Sequence, residues 1–252
     1  MAIIGNPITL ITLKAVINVT TKAGATVTFK KGSTTMGTKT ATATTAGQGV
    51  ASLEVLSGDW GAYSISVSWT QSGISTAATG SASVTVSAAT TYNVTANLTW
   101  YLIKDGNFCT GFATSVVGPT RAVFEDSGDY IRLTMDTYEQ PANDFASGYF
   151  TQGIDMAYWN SMTIDTQEKG QQAWAGLTTD TSAQEASFTN SVQLLPGQQS
   201  YYDTRSTSTL SLSGVTGTKY VALRTKGWVY IDSGGIQGSA GIIRVWNLYL
   251  QG

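Results

Sequence analysis

The amino-acid sequence predicts an all-β protein built from a seven-stranded sandwich followed by a β jelly roll. Three observations support this prediction. Apolar residues recur at every second position in many short segments, and Gly-rich turns separate those segments. Only 12% of the 252 residues are charged, and much of the polarity comes from Thr and Ser. Thr is β-branched and packs well in strands.

The clearest pair of strands lies at residues 46–68 and is predicted to form a hairpin. Apolar and polar residues alternate over 51–55 and again over 63–69, and a Gly-rich turn at 57–61 separates the two runs. Further alternating segments in this half lie at 13–20, 25–30, 36–45, 81–87 and 92–98. About seven strands in roughly 90 residues is the spacing of an immunoglobulin-like sandwich.

The chain is predicted to consist of an N-terminal arm at 1–12, an immunoglobulin-like sandwich at 13–99 and a jelly-roll domain at 100–252. The arm is apolar and irregular, so it is either a first edge strand or a segment that docks on a neighbouring subunit. The boundary follows a change in composition, because five of the seven Trp residues lie at or beyond Trp100.

Alternation also marks strands in the second half of the chain. They lie at 130–136, 162–165, 191–194, 210–212, 220–224 and 241–250. The last of these segments is apolar on both faces, which predicts a central strand, and strict alternation places Trp246 in the core. About eight strands over roughly 150 residues suit a jelly roll.

Two parts of the chain resemble known families. Residues 24–29, 46–53, 58–67 and 83–94 resemble the carboxypeptidase regulatory-like (transthyretin-like) sandwich, in which a G-A-x-V-x-hydrophobic strand precedes a G-x-Y-x-V-x-V strand and a closing V-x-V strand. Residues 208–223 and 243–250 resemble the end of a galactose-binding-like or carbohydrate-binding jelly roll. Proteins that carry the first module behind a short apolar N-terminus are similar to tail-associated and other virion proteins of bacteriophages. The resemblance implies a structural role on such a particle.

The sequence lacks the residues that several catalytic classes need. It contains no His and a single Cys, Cys109, which removes Ser-His-Asp and Cys-His nucleophilic sites, His-based zinc sites and thiolate clusters. The catalytic site that the composition still allows is a pair of carboxylates, as in glycoside hydrolysis. The candidates are Glu125, Asp126, Asp129, Asp136, Glu139 and Glu168. Because spacing does not show that two of them face each other, we predict neither enzymatic activity nor a cofactor.

Aromatic residues of the second half could form a platform on which sugar rings stack, or could lie in the core or in a subunit interface. The aromatic candidates are Tyr149, Phe150, Tyr158, Trp159, Trp174, Tyr201, Tyr202, Trp228 and Tyr230. Four of them stand beside polar residues or Gly, and these are the predicted glycan or partner contacts: Tyr201, Tyr202, Trp159 and Trp228.

Asp105 and Asn107 are the candidates for a structural calcium ion, because calcium takes oxygen ligands in flexible loops. The alternative, which turn chemistry favours, is that their side chains stabilise a turn. The net charge of the chain is −2 and no basic stripe is present, so nucleic acid is not an expected partner.

Together these observations favour a non-enzymatic structural protein of a bacteriophage virion, as a tail, baseplate, fibre or capsid-exterior component. The N-terminus has no basic residue before Lys14 and no sustained apolar segment, so we expect no signal peptide, no membrane insertion and synthesis in the host bacterial cytoplasm. The expected partners are copies of the same chain in a homo-oligomer, other virion proteins and a cell-surface glycan. The alternative is a carbohydrate-binding adhesion module of a bacterial surface protein.

Overall fold

The computed structural model describes residues 12–45, 47–119, 122–135, 145–183, 185–196, 201–232 and 235–252, and over 228–232 and 235–239 it describes the backbone alone. Most of the predicted arm at 1–12 therefore lies outside the described residues. The described chain is all-β, as predicted. It forms 23 β-strands and no α-helix, with single 3-10 turns at Ser57–Asp59 and Met156–Tyr158. No helix in this part of the chain is long and apolar enough to cross a membrane.

The chain divides into two compact units. The first comprises the chain up to Trp69 together with Thr79–Leu98, and the second comprises Thr70–Ala78 and Thr99–Gly252. The predicted domain boundaries did not place residues 70–78 with the second half. Hydrogen bonds explain the grouping, because the indole Nε1 of Trp100 donates to the Thr76 carbonyl at 2.9 Å and the Thr76 amide donates to the Thr110 carbonyl at 3.1 Å.

The first unit is a β-sandwich of two sheets. Its strands are β1 (Lys14–Lys22), β2 (Thr26–Lys31), β3 (Thr34–Thr40), β4 (Thr42–Ala43), β5 (Gln48–Leu56), β6 (Gly61–Trp69), β7 (Ala78–Val86) and β8 (Thr91–Thr95). One sheet has the strand order β4-β5-β1-β8, and the other includes β7-β6-β2-β3. The alternating residues Ile17, Val19, Phe29, Ile65 and Val67 are buried, as expected for the inner faces of two packed sheets.

The predicted hairpin at 46–68 is wrong. β5 pairs with β1 and β4, whereas β6 pairs with β2, so the two strands belong to different sheets. The 3-10 turn Ser57–Asp59 carries the chain from one sheet to the other. Alternation shows only that one face of each strand is buried, and this is equally true of a hairpin and of a corner between two sheets.

The second unit contains the remaining strands in two main sheets. They are β9 (Thr99–Lys104), β10 (Asn107–Phe108), β11 (Thr114–Val117), β12 (Val123–Asp126), β13 (Ile131–Met135), β14 (Phe145–Phe150), β15 (Ile154–Asp155), β16 (Ser161–Lys169), β17 (Gln172–Thr178), β18 (Phe188–Leu195), β19 (Ser206–Ser211), β20 (Thr218–Lys226), β21 (Trp228–Asp232), β22 (Gly235–Ser239) and β23 (Gly241–Gln251). One sheet runs β12-β13-β23-β16-β19, with β9 also paired to β23. The other has the order β11-β14-β20-β17-β18. Such a pair of sheets is consistent with the predicted jelly roll.

The core of the second unit is rich in aromatic residues. The rings of Trp100 and Trp159 stack with their centroids 5.7 Å apart. Phe150 packs edge-on against Phe112 at 5.7 Å and against Phe124 at 5.8 Å. These edge-to-face contacts add to the stabilisation that burial of the rings provides.

Trp246 does not lie in the core, which corrects the prediction from strict alternation. The pairing of β16 with β23 passes over Trp246, because Asp165 pairs with Asn247 and Thr166 pairs with Val245. This bulge resets the alternation, so Val245 is fully buried while Trp246 remains partly exposed. A period-two pattern cannot reveal an extra residue of this kind.

Candidate functional site

The outer face of the sheet β11-β14-β20-β17-β18 carries the candidate site. Along β20, Leu223 and Thr225 are buried in the core, so Arg224 between them lies on the outer face. Trp174 on β17 is the direct partner of Arg224 in the register of the two strands. The two side chains therefore lie side by side on the same face of the sheet.

Three aromatic rings surround the guanidinium group of Arg224. Its central carbon lies 4.2 Å from the ring centroid of Trp174, 4.8 Å from that of Phe145 and 5.2 Å from that of Phe188. The faces of these rings attract a cation. Burial lowers the pKa of Arg224, yet a guanidinium keeps its charge at neutral pH because its ordinary pKa is so high.

Arg224 also forms one wall of an open depression with a volume of about 530 Å³. We call it the Arg224 depression, and the residues that line it are Glu185, Ala186, Ser187, Phe188, Ser191 and Arg224. The Nη1 atom of Arg224 donates to Glu185 Oε1 at 3.1 Å and to the Ala186 carbonyl at 3.0 Å. The depression thus brings together an aromatic ring, a cation, a carboxylate and hydroxyl groups.

The rim of the Arg224 depression is held on the sheet by buried polar contacts. The Ala186 amide donates to Ser147 Oγ at 3.1 Å. The Tyr149 hydroxyl donates to the Ala183 carbonyl, and burial raises the pKa of Tyr149, so this hydroxyl remains a donor. The backbone at Ala183 and at Ala186 is therefore held on the sheet, whereas the side chain of Glu185 is 60% exposed.

A second surface of the same unit lies on the outer face of the sheet that contains β23, and it includes one of the predicted contact residues. The guanidinium carbon of Arg244 lies 3.4 Å from the ring centroid of Tyr202 and 4.7 Å from that of Tyr130. Trp246 packs against Tyr130 at 5.6 Å and against the guanidinium of Arg205 at 4.2 Å. We call these five residues the Tyr202 face. Each of its three rings contacts a guanidinium of the same chain, Arg244 for Tyr202 and Tyr130 and Arg205 for Trp246.

The structure separates the four predicted contact residues. Tyr201 is 72% exposed, and Tyr202 belongs to the Tyr202 face. Trp159 is 1% exposed and stacks on Trp100, so it lies in the core and not on the surface where the sequence placed it. The side chain of Trp228 lies outside the described residues. A glycan contact through Tyr201 or Tyr202 stays a prediction.

The calcium candidates Asp105 and Asn107 form a turn that is closed by hydrogen bonds. Asp105 has a φ of 50°, and its amide donates to Asn247 Oδ1 at 3.1 Å. The Asn107 side-chain amide donates to the Asp105 carbonyl at 2.9 Å. Within the described ranges, no three or more acidic, His or Cys side chains are grouped around a position for a metal ion. These hydrogen bonds are the ones expected if Asp105 and Asn107 stabilise a turn, which was the alternative to a calcium site.

Among the carboxylates considered for catalysis, Glu168 has the most unusual surroundings. Its side chain on β16 is 2% exposed, and its Oε1 atom has no hydrogen-bond partner in the described structure. Burial raises the pKa of Glu168 to about 7. Glu125 instead forms an exposed ion pair with Arg132, and Asp136 and Glu139 lie outside the described residues.

The chain was compared with family models, with curated proteins and with solved structures. No family model matches it, and no curated protein matches it. Among solved structures, a low-affinity xylan-binding module from the gut symbiont Roseburia intestinalis shares 14% identity over 55% of this chain and 94% of that chain, with a TM-score of 0.31. A DUF3823 family protein from Bacteroides ovatus shares 11% identity over 92% of this chain and 97% of that chain, with a TM-score of 0.19. At these scores the likeness assigns no ligand to this chain.

The residues of the Arg224 depression were not predicted as a group. Arg224 stood at the polar end of a predicted strand, and Trp174, which contacts Arg224 but does not line the depression, was one of many aromatic candidates. Glu185 and Phe188 are nearly 40 residues from Arg224 in sequence, and only the strand order β20-β17-β18 brings them together. Arg224 did carry one usable signal, because it alternates with Val221 and Leu223 in a predicted strand and therefore lies on the face opposite to these apolar residues.

Proposed function

We propose that the protein binds carbohydrate and that the second unit holds the glycan in the Arg224 depression. One observation carries this proposal. An open depression of about 530 Å³ on the face of a sheet places the ring of Phe188 beside the guanidinium of Arg224, the carboxylate of Glu185 and the hydroxyl of Ser191. Polar groups that converge beside an aromatic ring can orient a polar ligand while the ring contacts its apolar face.

The chemistry of these groups suits a sugar ring. A pyranose has an apolar face of C–H groups and a rim of hydroxyls that both donate and accept hydrogen bonds. Phe188 offers apolar contact, and Arg224 offers a planar fork of donors. The carboxylate of Glu185 accepts hydrogen bonds, and the hydroxyl of Ser191 both donates and accepts them.

The open shape of the depression favours a sugar chain over a free monosaccharide. A small ligand that binds tightly is usually enclosed over most of its surface. A depression on an open sheet face leaves the two ends of a chain free to continue into solvent. Internal units of a polysaccharide are therefore the ligand that we propose.

The finer predictions from the sequence stay predictions. A place on a bacteriophage virion, assembly with other virion proteins and a homo-oligomeric state find no support in the fold or in the two structural neighbours. Mass spectrometry of purified virions tests the first two of these predictions. The carbohydrate-binding hypothesis, which was the alternative, is supported by the geometry of the Arg224 depression.

Affinity electrophoresis in gels that contain plant or bacterial polysaccharides tests the proposed function, because a bound polysaccharide slows the migration of the protein. Ser191 is exposed on β18, so Ser191→Trp should fill the depression without disturbing the core. Thr207→Trp is the matched control, because Thr207 is an exposed residue of β19 in the other sheet. We expect retarded migration in at least one polysaccharide, abolished by Ser191→Trp and kept by Thr207→Trp. No retardation across the panel, or equal effects of the two variants, would contradict the proposal.

A further inference from the structure

The pairing of Glu185 with Arg224 points to the kind of glycan that the depression takes. The side chain of Glu185 is 60% exposed, whereas that of Arg224 is 13% exposed. Their contact is a single one, between Glu185 Oε1 and Arg224 Nη1 at 3.1 Å. The carboxylate therefore reaches the guanidinium from the solvent side.

We infer that the Arg224 depression selects glycans that carry carboxylate groups, and that Glu185 occupies the position of the ligand carboxylate until such a glycan binds. This inference rests on the proposed function. It adds the charge class of the sugar and a role for the acidic residue on the rim.

The guanidinium of Arg224 is fixed before any ligand arrives. Its three neighbouring rings lie on three different strands, with Trp174 on β17, Phe145 on β14 and Phe188 on β18. The Ala186 carbonyl also accepts from Nη1 at 3.0 Å. Ala186 is itself buried and hydrogen-bonded through its amide, so this contact persists when the Glu185 side chain moves away. A cation held in this way binds an anion at a low cost in conformational entropy.

The guanidinium is also incompletely paired. Among the described residues, both hydrogen bonds of Arg224 use Nη1, so the N–H groups of Nη2 remain for a ligand carboxylate. Carboxylates commonly bind a guanidinium through two parallel hydrogen bonds, which are stronger than a single contact. A ligand carboxylate that engages Arg224 in this way gains more than the single bond that it displaces.

Displacement of Glu185 costs little. The Glu185 side chain is 60% exposed, so water screens its carboxylate, and holding this long side chain in one position costs rotamer freedom. A neutral sugar provides nothing that replaces the carboxylate of Glu185. An acidic sugar provides a carboxylate of its own that takes the place of the Glu185 carboxylate, and the released Glu185 side chain returns to water. The depression should therefore discriminate between the charged and the neutral form of one and the same sugar chain.

Oligogalacturonides and their methyl esters test this inference, because esterification removes the charge and keeps the sugar chain. Isothermal titration calorimetry on the full chain should show the acid form binding about tenfold more tightly than the ester. Added salt should reduce that ratio. Glu185→Gln keeps the shape of the rim and removes the competing carboxylate, so it should raise the acid-to-ester affinity ratio about two- to fivefold.

Glu125→Gln is the matched control. Glu125 is a second exposed glutamate of the same unit, paired with Arg132, and its replacement should leave the ratio unchanged. Equal binding of the two probes, or the same ratio in wild type and Glu185→Gln, would overturn the inference. The proposed function would still stand if a polysaccharide of the plant and bacterial panel binds. Absence of binding to these probes and to the whole panel would overturn both.

Discussion

Arg224 and Trp174 face each other across two neighbouring strands, with the guanidinium carbon 4.2 Å from the centroid of the indole ring. The register of β17 and β20 fixes both Cα positions. The same strand register that buries the neighbouring residues in the core therefore also sets the position of the charged Arg224 on the outer face. A preorganised group of this kind loses less freedom when a ligand binds.

The first prediction concerns this pair. Trp174→Ala should weaken polysaccharide binding by about three- to tenfold, because the loss of a cation–π contact of about 0.5–2 kcal/mol leaves Arg224 less well positioned. Trp246→Ala is the control, since it removes a partly exposed indole that also contacts an arginine, Arg205, but on the Tyr202 face. Isothermal titration calorimetry measures both variants. An equal loss of affinity in the two variants would argue against a role of the Arg224 depression.

The second prediction concerns the pH dependence of stability. The pKa of Glu168 rises from an ordinary 4.5 to about 7 in the folded protein, because burial disfavours the charged carboxylate. The folded state then holds a proton that the unfolded state has released. The free energy of unfolding should therefore fall as the pH rises from 4.5 to about 7, and level off above that. The full effect is about 3 kcal/mol.

Glu168→Gln removes this titration and keeps the shape of the side chain. We expect the variant to resemble wild type below pH 4.5 and to be more stable than wild type above pH 7. Urea denaturation over this pH range measures the difference. Parallel stability curves for the two proteins would show that Glu168 does not hold its proton in the folded state.

The third prediction concerns a close approach of two strands. A Cβ atom at Gly176 on β17 would lie 2.3 Å from the Asn190 carbonyl oxygen of β18. Gly176→Ala should therefore cost about 1–3 kcal/mol of stability by forcing the strands apart. Gly58→Ala is the control, because nothing lies within 4 Å of a Cβ atom built there. Chemical denaturation that finds the two variants equally stable would contradict the tight packing of β17 on β18.

The fourth prediction separates two residues that the sequence suggested for the same role. Trp159→Ala should destabilise the protein by about 3–5 kcal/mol, because it removes a buried ring from its stack on Trp100. Tyr201→Ala should change the stability by less than about 0.5 kcal/mol, because Tyr201 is 72% exposed. Thermal denaturation checks both values. A mild effect of Trp159→Ala would place that residue outside the core.

The all-β fold and most strand positions follow from the sequence because a half-buried strand leaves a period-two pattern. β1, β2 and β6 show this well, since Ile17, Phe29 and Ile65 are buried at alternating positions as predicted. The pattern carries no information about which strands pair. That is why the sequence predicted a hairpin at 46–68 where the chain crosses between sheets, and why the bulge at Trp246 was missed.

The candidate site was less predictable than the fold. Its residues come from β18, from β20 and from the rim before β18, and their meeting depends on a strand order that no local pattern encodes. Neighbours in sequence predicted exposure correctly for Tyr201 and wrongly for Trp159. Trp159 stands beside polar Asn160 and is buried, whereas Tyr201 stands beside Tyr202 and is exposed.

The most direct test of the central claim is to observe which tryptophan senses a bound glycan. The indole N–H signals of Trp174 and Trp246, assigned through Trp→Phe variants, can be followed by heteronuclear NMR during titration with a polysaccharide fragment that binds. Binding in the Arg224 depression predicts a shift of the Trp174 signal, because this ring contacts Arg224, and no shift of the Trp246 signal. A shift of Trp246 with Trp174 unchanged would contradict the account and would place the glycan on the Tyr202 face.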